Sequence, residues 1–486
     1  MTPLLGFSPD VEPTTPGAIL DAQGIIPYEA GLRSSPSPVS AGTADLAAAC
    51  YGSAVIRSLN SSSRFFAGTA SNLYEASGTS WTSVGSGYTL GTDDRWSFAG
   101  YGNSVLATNP STQILRSTGS GVAFTAITSA PKAKLLVASK GFVLAFATNE
   151  ATYGDSPDRW WCSAFLNETD WAPNISTQAN TGRLIGGSGP INAAVRFGDD
   201  IVVYKSRAMY LGTYVGGDVV WSFTQVGFDV GAVGPEAAVD TSIGHIFVGS
   251  DDIYHFDGTR PVAIATGVIR QWWLNNSSAE YRYKTKLLWD RDNSLVWIFF
   301  PSASSNGVCD DCIVFHVRTK QWGRVSMSVE AVVNYVSPPF TYDGGHPLIV
   351  PGVTTYDNLP LIPFDSPFWL SQKSSPAIFN TSHQVRTISG EPGAWSVLSG
   401  DVGDESVYSY CKALRVRFAA RPSVLNCQGI TKDTSGSAGV YGDSVGFDGS
   451  KFPMRQTARF HAFTVSGTGL VKFSAAEPEV VEAGSR

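Results

Sequence analysis

Apolar and polar positions alternate most cleanly over residues 192–226, NAAVRFGDDIVVYKSRAMYLGTYVGGDVVWSFTQV. The pattern predicts four short strands, at 192–197, 201–204, 208–213 and 219–226. Each is rich in β-branched and aromatic residues, and Gly, Asp or Ser stands at each break, where turn dihedrals are needed. Four consecutive antiparallel strands make a meander the size of one propeller blade. The third strand of this unit carries Met209-Tyr210 just after a polar turn. Comparable pairs are Leu73-Tyr74, Ile114-Leu115, Trp160-Trp161, Ile253-Tyr254 and Ile313-Val314. Propeller blades recur about every 40 to 50 residues, and most of these pairs do so. The last is delayed by an insertion at 268–283. An aromatic suited to the wedge between blades follows in most units: Trp81, Phe124, Trp171, Trp221 and Trp322. The expected fold class is therefore all-β, a β-propeller of six four-stranded blades over 48–326. A weaker seventh candidate lies at 330–378, where 332–336 and 368–370 are strand-like.

The flanks differ in texture. Residues 1–40 are Pro-rich yet carry Leu4, Leu5, Phe7, Ile19, Ile25 and Ile26. Proline fixes φ and removes a donor, so this reads as an extended N-terminal arm, laid on the protein's own surface or on a neighbouring subunit. The propeller is assigned to 41–378. Residues 379–486 form an additional C-terminal β region, with clean alternation at Leu414, Val416 and Phe418. Within it, 428–452 is Gly/Ser/Asp-rich and reads as a long loop. Helix candidates are short: 43–54, and 268–283 with its Gln271-Trp272-Trp273-Leu274.

Composition sharpens this picture. Fifty Gly and 27 Pro against 15% charged residues suit a turn-dense β protein, and 13 Trp, 18 Tyr and 26 Phe exclude disorder. The net charge of −7 and the lack of a basic run exclude a sequence-reading nucleic-acid binder. The first residues, MTPLLGFSPD, lack the basic and apolar regions of a signal peptide. The densest apolar run, 295–300, is too short to span a bilayer. A cytoplasmically made protein is expected.

Candidate chemistry is sparse. Gly442-Asp443-Ser444-Val445-Gly446 fits G-x-S-x-G, but a nucleophile elbow needs a strand before and a helix after. Cys309-Asp310-Asp311-Cys312 has no second pair for zinc, and is placed at a hairpin tip. Cys50, Cys162, Cys411 and Cys427 are scattered, so no disulfide framework is implied. Histidines 245, 255, 316, 346, 383 and 461 show no metal-ligand spacing. Asp251-Asp252, Asp257-Gly258 and Asp290-Arg291-Asp292-Asn293 are acidic, but they fall where turns want Asp and Asn. Sialidase-like propellers repeat S-x-D-x-G-x-T-W; Ser77-Gly78-Thr79-Ser80-Trp81 lacks the Asp and stands alone. No catalytic, cofactor or metal residues are assigned, and no enzyme is expected.

Several stretches resemble the tail nozzle of short-tailed bacteriophages, the packaged DNA stabilisation family. They are GFSPDVEPTTPGAIL and PYEAGLRSSPSP in the arm, PDRWWCSAFLNETDW and SIGHIFVGSDDIYHFDG in the middle, and YCKALRVRFAARP with RQTARFHAFTVSGTG near the close. The resemblance implies a structural virion protein, assembled in the bacterial host cytoplasm and located in the tail. It would form a homo-oligomeric ring, a hexamer, below the portal and adaptor and next to tail fibre or needle proteins. The ring would retain packaged DNA and open for ejection, passing genomic DNA without sequence-specific binding. It has no catalytic residues to carry over. The alternative is a glycan- or receptor-binding propeller of a tail fibre or cell surface, with Trp160-Trp161 and Trp272-Trp273 stacking sugars.

Overall fold

A computed structural model describes residues 1–59, 62–336 and 374–485. Strands dominate; among the described residues the helical elements are a seven-residue α-helix, Arg270–Asn276, and a 3-10 turn, Arg282–Lys284. The 192–226 unit is a four-stranded antiparallel sheet: Ile191–Phe197, Asp200–Lys205, Ala208–Gly216 and Val220–Phe228. Its last hairpin turns at Gly216 and Gly217, with φ of 71° and 60°. Gly216 ends the strand opposite Val220 and Gly217 opens the three-residue turn, and glycine adopts both positive φ values without steric cost.

Seven such sheets form a ring. In chain order their first strands are Gly52–Arg57, Ser97–Tyr101, Lys132–Ser139, Ile191–Phe197, Ala238–Thr241, Lys286–Asp290 and Ala331–Val336. Each first strand packs beside the next, and the seventh packs beside the first, so the circle closes. We number the blades 1 to 7 in this order. All six aromatic and aliphatic pairs singled out in the sequence fall on or next to a third strand, such as Asn72–Ser77 and Cys309–His316.

The seventh blade is built differently from the 330–378 expectation. Its strands are Ala331–Val336, Ser374–Phe379, Val385–Gly390 and, outermost, Ser37–Ser40, with Val39 opposite Thr387. The expected strand at 368–370 lies outside the described residues. A strand from the Pro-rich segment thus clasps the last blade across some 350 residues of chain. Pro38 is tolerated there because an outermost strand leaves one backbone edge unpaired.

The arm contributes more than this clasp. Ile25–Tyr28 pairs with Trp322–Val329 of blade 6, and Gly31–Ser34 pairs with Lys472–Ser485, which pairs with Val407–Ala420. One ten-stranded sheet therefore runs from blade 6 into the C-terminal region. A six-stranded sheet faces it: Ile19–Gln23, Ala394–Ser399, Phe460–Thr468, Leu425–Lys432 and Val440–Gly446, with Val402–Gly403 beside it. Trp395, Phe463 and Val465 from one sheet meet Leu414 and Phe473 from the other. The two sheets make a sandwich welded to the propeller. The arm lies on its own chain; Phe7, Ile19, Ile25, Ile26 and Leu32 are all buried.

Two further expectations need correction. Residues 43–54 form no helix. Ala44 N–H donates to Thr79 O, Leu46 N–H to His383 O and Cys50 N–H to the Glu330 carboxylate. A short helix is marginal alone, and these tertiary acceptors take its donors. Residues 428–452 are not one long loop, since 425–432 and 440–446 form a hairpin at the edge of the six-stranded sheet. Backbone ladders do not depend on apolar side chains, and the exposed edge position accommodates the Gly/Ser/Asp composition.

Apolar clusters fill the wedges between blades. Trp81 packs near Phe65 and Phe379 between blades 1 and 7, Phe124 near Phe66 between blades 1 and 2, and Trp221 near Phe142 between blades 3 and 4. Trp322 stacks at a tilt on Phe315 of its own blade. Trp171 is fully buried between blades 2 and 3 but sits in the 163–179 connection, not on the fourth strand, Asn180–Arg183. Each such side chain removed from water contributes about 1.5–3 kcal/mol.

Candidate functional site

The segments leading into the first strands all meet at one end of the ring axis. They carry Tyr51, Asp93 to Arg95, Val233 to Glu236, Tyr283 to Lys286 and Glu330. Two adjoining cavities of about 180 and 280 Å³ open there, and Arg95 borders both. The repeat places one chain crossing per blade at this mouth, so it gathers side chains from distant parts of the sequence.

The mouth is polar and charge-balanced. Lys286, buried, pairs with Glu236, and Arg95 Nε lies 3.9 Å from the same carboxylate. Lys284 Nζ is 3.1 Å from Asp93 Oδ1, and the Tyr283 hydroxyl donates to that oxygen at 2.8 Å. The Tyr283 hydrogen bond and, after it, Lys284 hold the Asp93 carboxyl below its ordinary range. Burial and the Asp93 partner push Tyr283 up to about 12. Glu330 accepts the Cys50 N–H at 3.0 Å and pairs with His383 Nδ1 at 2.9 Å. The Arg95 guanidinium sits 5.3 Å above the Tyr51 ring. Arg95, Lys134, Lys284 and Lys286 stand against Asp93, Asp94, Glu236 and Glu330, so the mouth carries no excess charge for phosphate. Cys50 and Cys309 also border the mouth, but burial pushes both thiols to about 12, so neither is a thiolate at neutral pH.

The motifs singled out in the sequence are spread through the fold rather than brought together. Ser444 lies on the exposed edge strand Val440–Gly446, opposite Gln428, with no helix after it. Cys309 and Cys312 are not at a hairpin tip: both are buried in the strand Cys309–His316, inside the core between blades 6 and 7. Their bulged register, between Cys309 and Asp311, turns both thiols inward. The other four cysteines are also buried and free.

The histidines are dispersed through the fold. His245 Nδ1 bonds the Tyr204 hydroxyl at 2.7 Å and Nε2 the Arg196 carbonyl at 2.9 Å. Burial lowers its pKa to about 4. His461 bonds Ser409, His255 bonds the Ile243 carbonyl, and His316 accepts from Thr319 N–H. His346 lies outside the described residues. Asp257 accepts from Thr259 and Asp290 from Asn293, each a local turn bond, while Asp252 accepts from Ile253 and, across 13 residues, from Ala265 N–H, and pairs with Arg270 at 3.4 Å. No group of three potential metal ligands forms among the described residues. Trp160, Trp161 and Trp273 are buried, and the partly buried Trp272 meets Phe7 edge-on at 5.0 Å.

The mouth residues escaped sequence reading. A charged residue stands two positions before the first strand in blades 2, 5 and 6 (Arg95, Glu236 and Lys284) and one before it in blade 7 (Glu330), and this is legible only once the blade register is known.

No family model matches the chain. No curated protein matches it either. Among solved structures, YCF48 bound to D1 peptide is similar at 14% identity and a TM-score of 0.34, covering 62% of this chain and 86% of that one. YCF48 from Cyanidioschyzon merolae is similar at 11% identity and a TM-score of 0.33, over 60% and 88%. The computationally designed Ika8 protein reaches 11% and 0.37, over 73% and 99%. At these values no property of those proteins carries over.

Proposed function

We propose that this chain is a structural subunit of a short-tailed phage tail nozzle, a ring below the portal and adaptor that retains packaged DNA and opens for ejection. Beyond the sequence resemblance, the observation that carries the reading is the continuous ten-stranded sheet joining blade 6 to the sandwich. A shared sheet makes propeller and sandwich one rigid body, as a wall under DNA pressure requires. The net charge of −7 suits a surface past which DNA moves without adhering, since each Lys or Arg contact with phosphate would retain it. The subunits would assemble in the host cytoplasm into a hexamer and contact tail fibre or needle proteins. The glycan-binding alternative draws on tryptophan pairs whose rings are committed to packing, and it is the weaker reading.

The test is assembly. Purified protein, alone and mixed with a short-tailed phage portal–adaptor complex, is weighed by mass photometry and imaged by electron microscopy. A closed ring seated on the adaptor is expected. A chain that stays monomeric at micromolar concentration in both samples refutes the proposal.

A further inference from the structure

Inside the sandwich the two sheets do not close completely. An inner cavity of about 40 Å³ has walls that are apolar in every exposed atom, formed by Leu4, Trp395, Phe463, Val465, Phe473 and Ala476 among others. An outer cleft of about 350 Å³ adjoins it, and the two share Leu4, Ser399, Leu414, Phe463 and Ala476 as walls. Protein interiors are otherwise packed to crystal density, and a void walled by side chains of this kind stays dry and takes apolar guests.

The outer lip limits what the guest can be. It presents the hydroxyls of Thr2, Thr14 and Thr15. Its one charged lining residue, Asp401, is buried and spent: its carboxylate takes Lys432 Nζ at 2.7 Å and the Gly436 N–H at 2.8 Å. Among the described residues no cation lines either space, so a ligand carboxylate or phosphate entering here would be desolvated without a counter-charge.

We infer that the sandwich binds a small uncharged aliphatic molecule, the tip of its hydrocarbon in the inner chamber, the rest of the chain along the apolar part of the outer cleft and its polar end towards the threonine lip. Leu4 stands between the two spaces. It is held by its N–H to the Ser474 carbonyl at 3.1 Å, while Thr2 and Pro3 pair with Ala476 and Ala475. The start of the chain therefore forms one wall of the passage. This inference does not depend on the nozzle reading.

The probe is n-octanol, titrated into the full chain by isothermal titration calorimetry at several temperatures, with n-octanoate as the charged control. Saturable one-to-one binding with a negative heat-capacity change is expected, the mark of apolar burial. Octanoate should bind at least about tenfold more weakly. Ala476→Leu, which fills the junction of the two spaces, should weaken octanol binding by a similar factor; Val465→Phe serves the same purpose if the first variant misfolds. Heats that rise linearly with octanol, octanoate binding as tightly as octanol, or unchanged binding in a folded filled variant would each overturn the inference.

Discussion

Arg64 and Glu75 make the most stringent energetic test of the ring. They sit on the second and third strands of blade 1, with side chains 5% and 3% exposed. Arg64 Nε donates to Glu75 Oε1 at 2.7 Å and Nη2 to Oε2 at 2.9 Å. The pair reaches across to blade 2: Arg64 Nη2 also donates to Ser117, and Glu75 accepts from Ser120 and from the Gly121 N–H at 2.9 Å. Glu75→Ala leaves a buried guanidinium without its counter-ion and two donors without an acceptor. Breaking one side of such a pair costs about 3–5 kcal/mol, whereas replacing both sides by apolar groups of similar volume is near neutral. Glu75→Ala should therefore lower the unfolding free energy by that amount, read as a lower denaturant midpoint at unchanged slope. Arg64→Met with Glu75→Leu should return to within about 1 kcal/mol of the parent. The assay is guanidinium unfolding followed by tryptophan fluorescence, repeated by circular dichroism to check that both probes report one transition. A single-variant loss below about 1 kcal/mol, or a double variant as unstable as Glu75→Ala, refutes the claim that desolvation dominates here.

Other consequences are open to direct measurement. His245 has a folded pKa of about 4 against 6.5 ordinarily. The unfolded chain therefore binds the proton first, and stability present above pH 6.5 is lost as pH falls towards 4, by roughly 3 kcal/mol in all. His245→Gln should flatten the midpoint-versus-pH curve between pH 7 and 4.5, and an unchanged slope counts against this origin. The thiols of Cys50, Cys162, Cys309 and Cys427 are pushed to about 12 and that of Cys411 to about 11 by burial. Native protein at pH 8 should resist Ellman's reagent while the denatured chain reacts in full; fast native labelling contradicts the buried placement. A Cβ at Gly234 would lie 1.8 Å from the Tyr283 carbonyl oxygen. Gly234→Ala should thus cost on the order of 1–3 kcal/mol or more by thermal melting, because backbone must move at the mouth. A neutral result would mean that the two crossings are not in contact.

Most of the blades are legible along the chain because each strand's pattern is local. Alternation at 192–226, with Gly216-Gly217 at a turn, states strand, turn and strand again without reference to distant residues. The mouth is different. Arg95, Glu236 and Lys286 are ordinary surface residue types in sequence, and they become one network only when the ring brings their segments together. Trp171 marks the same boundary. Its type says that it fills a wedge, yet a connection carries it there and no strand does.

By itself the sequence determined the class of element and the spacing of the repeat, since β-branched runs, turn residues and period-two alternation act over a few residues. Only the tertiary structure decided which strand closes the circle, how the first forty residues are shared among three sheets, and that 43–54 is no helix. In each case local preference is weak or split: Pro38 suits an outer strand anywhere, and an Ala-rich stretch is helical only if its donors have no better acceptors. The choice then falls to closure. A seventh blade lacking its outer strand leaves an open edge and an unfilled wedge, and Ser37–Ser40 is the segment that completes it.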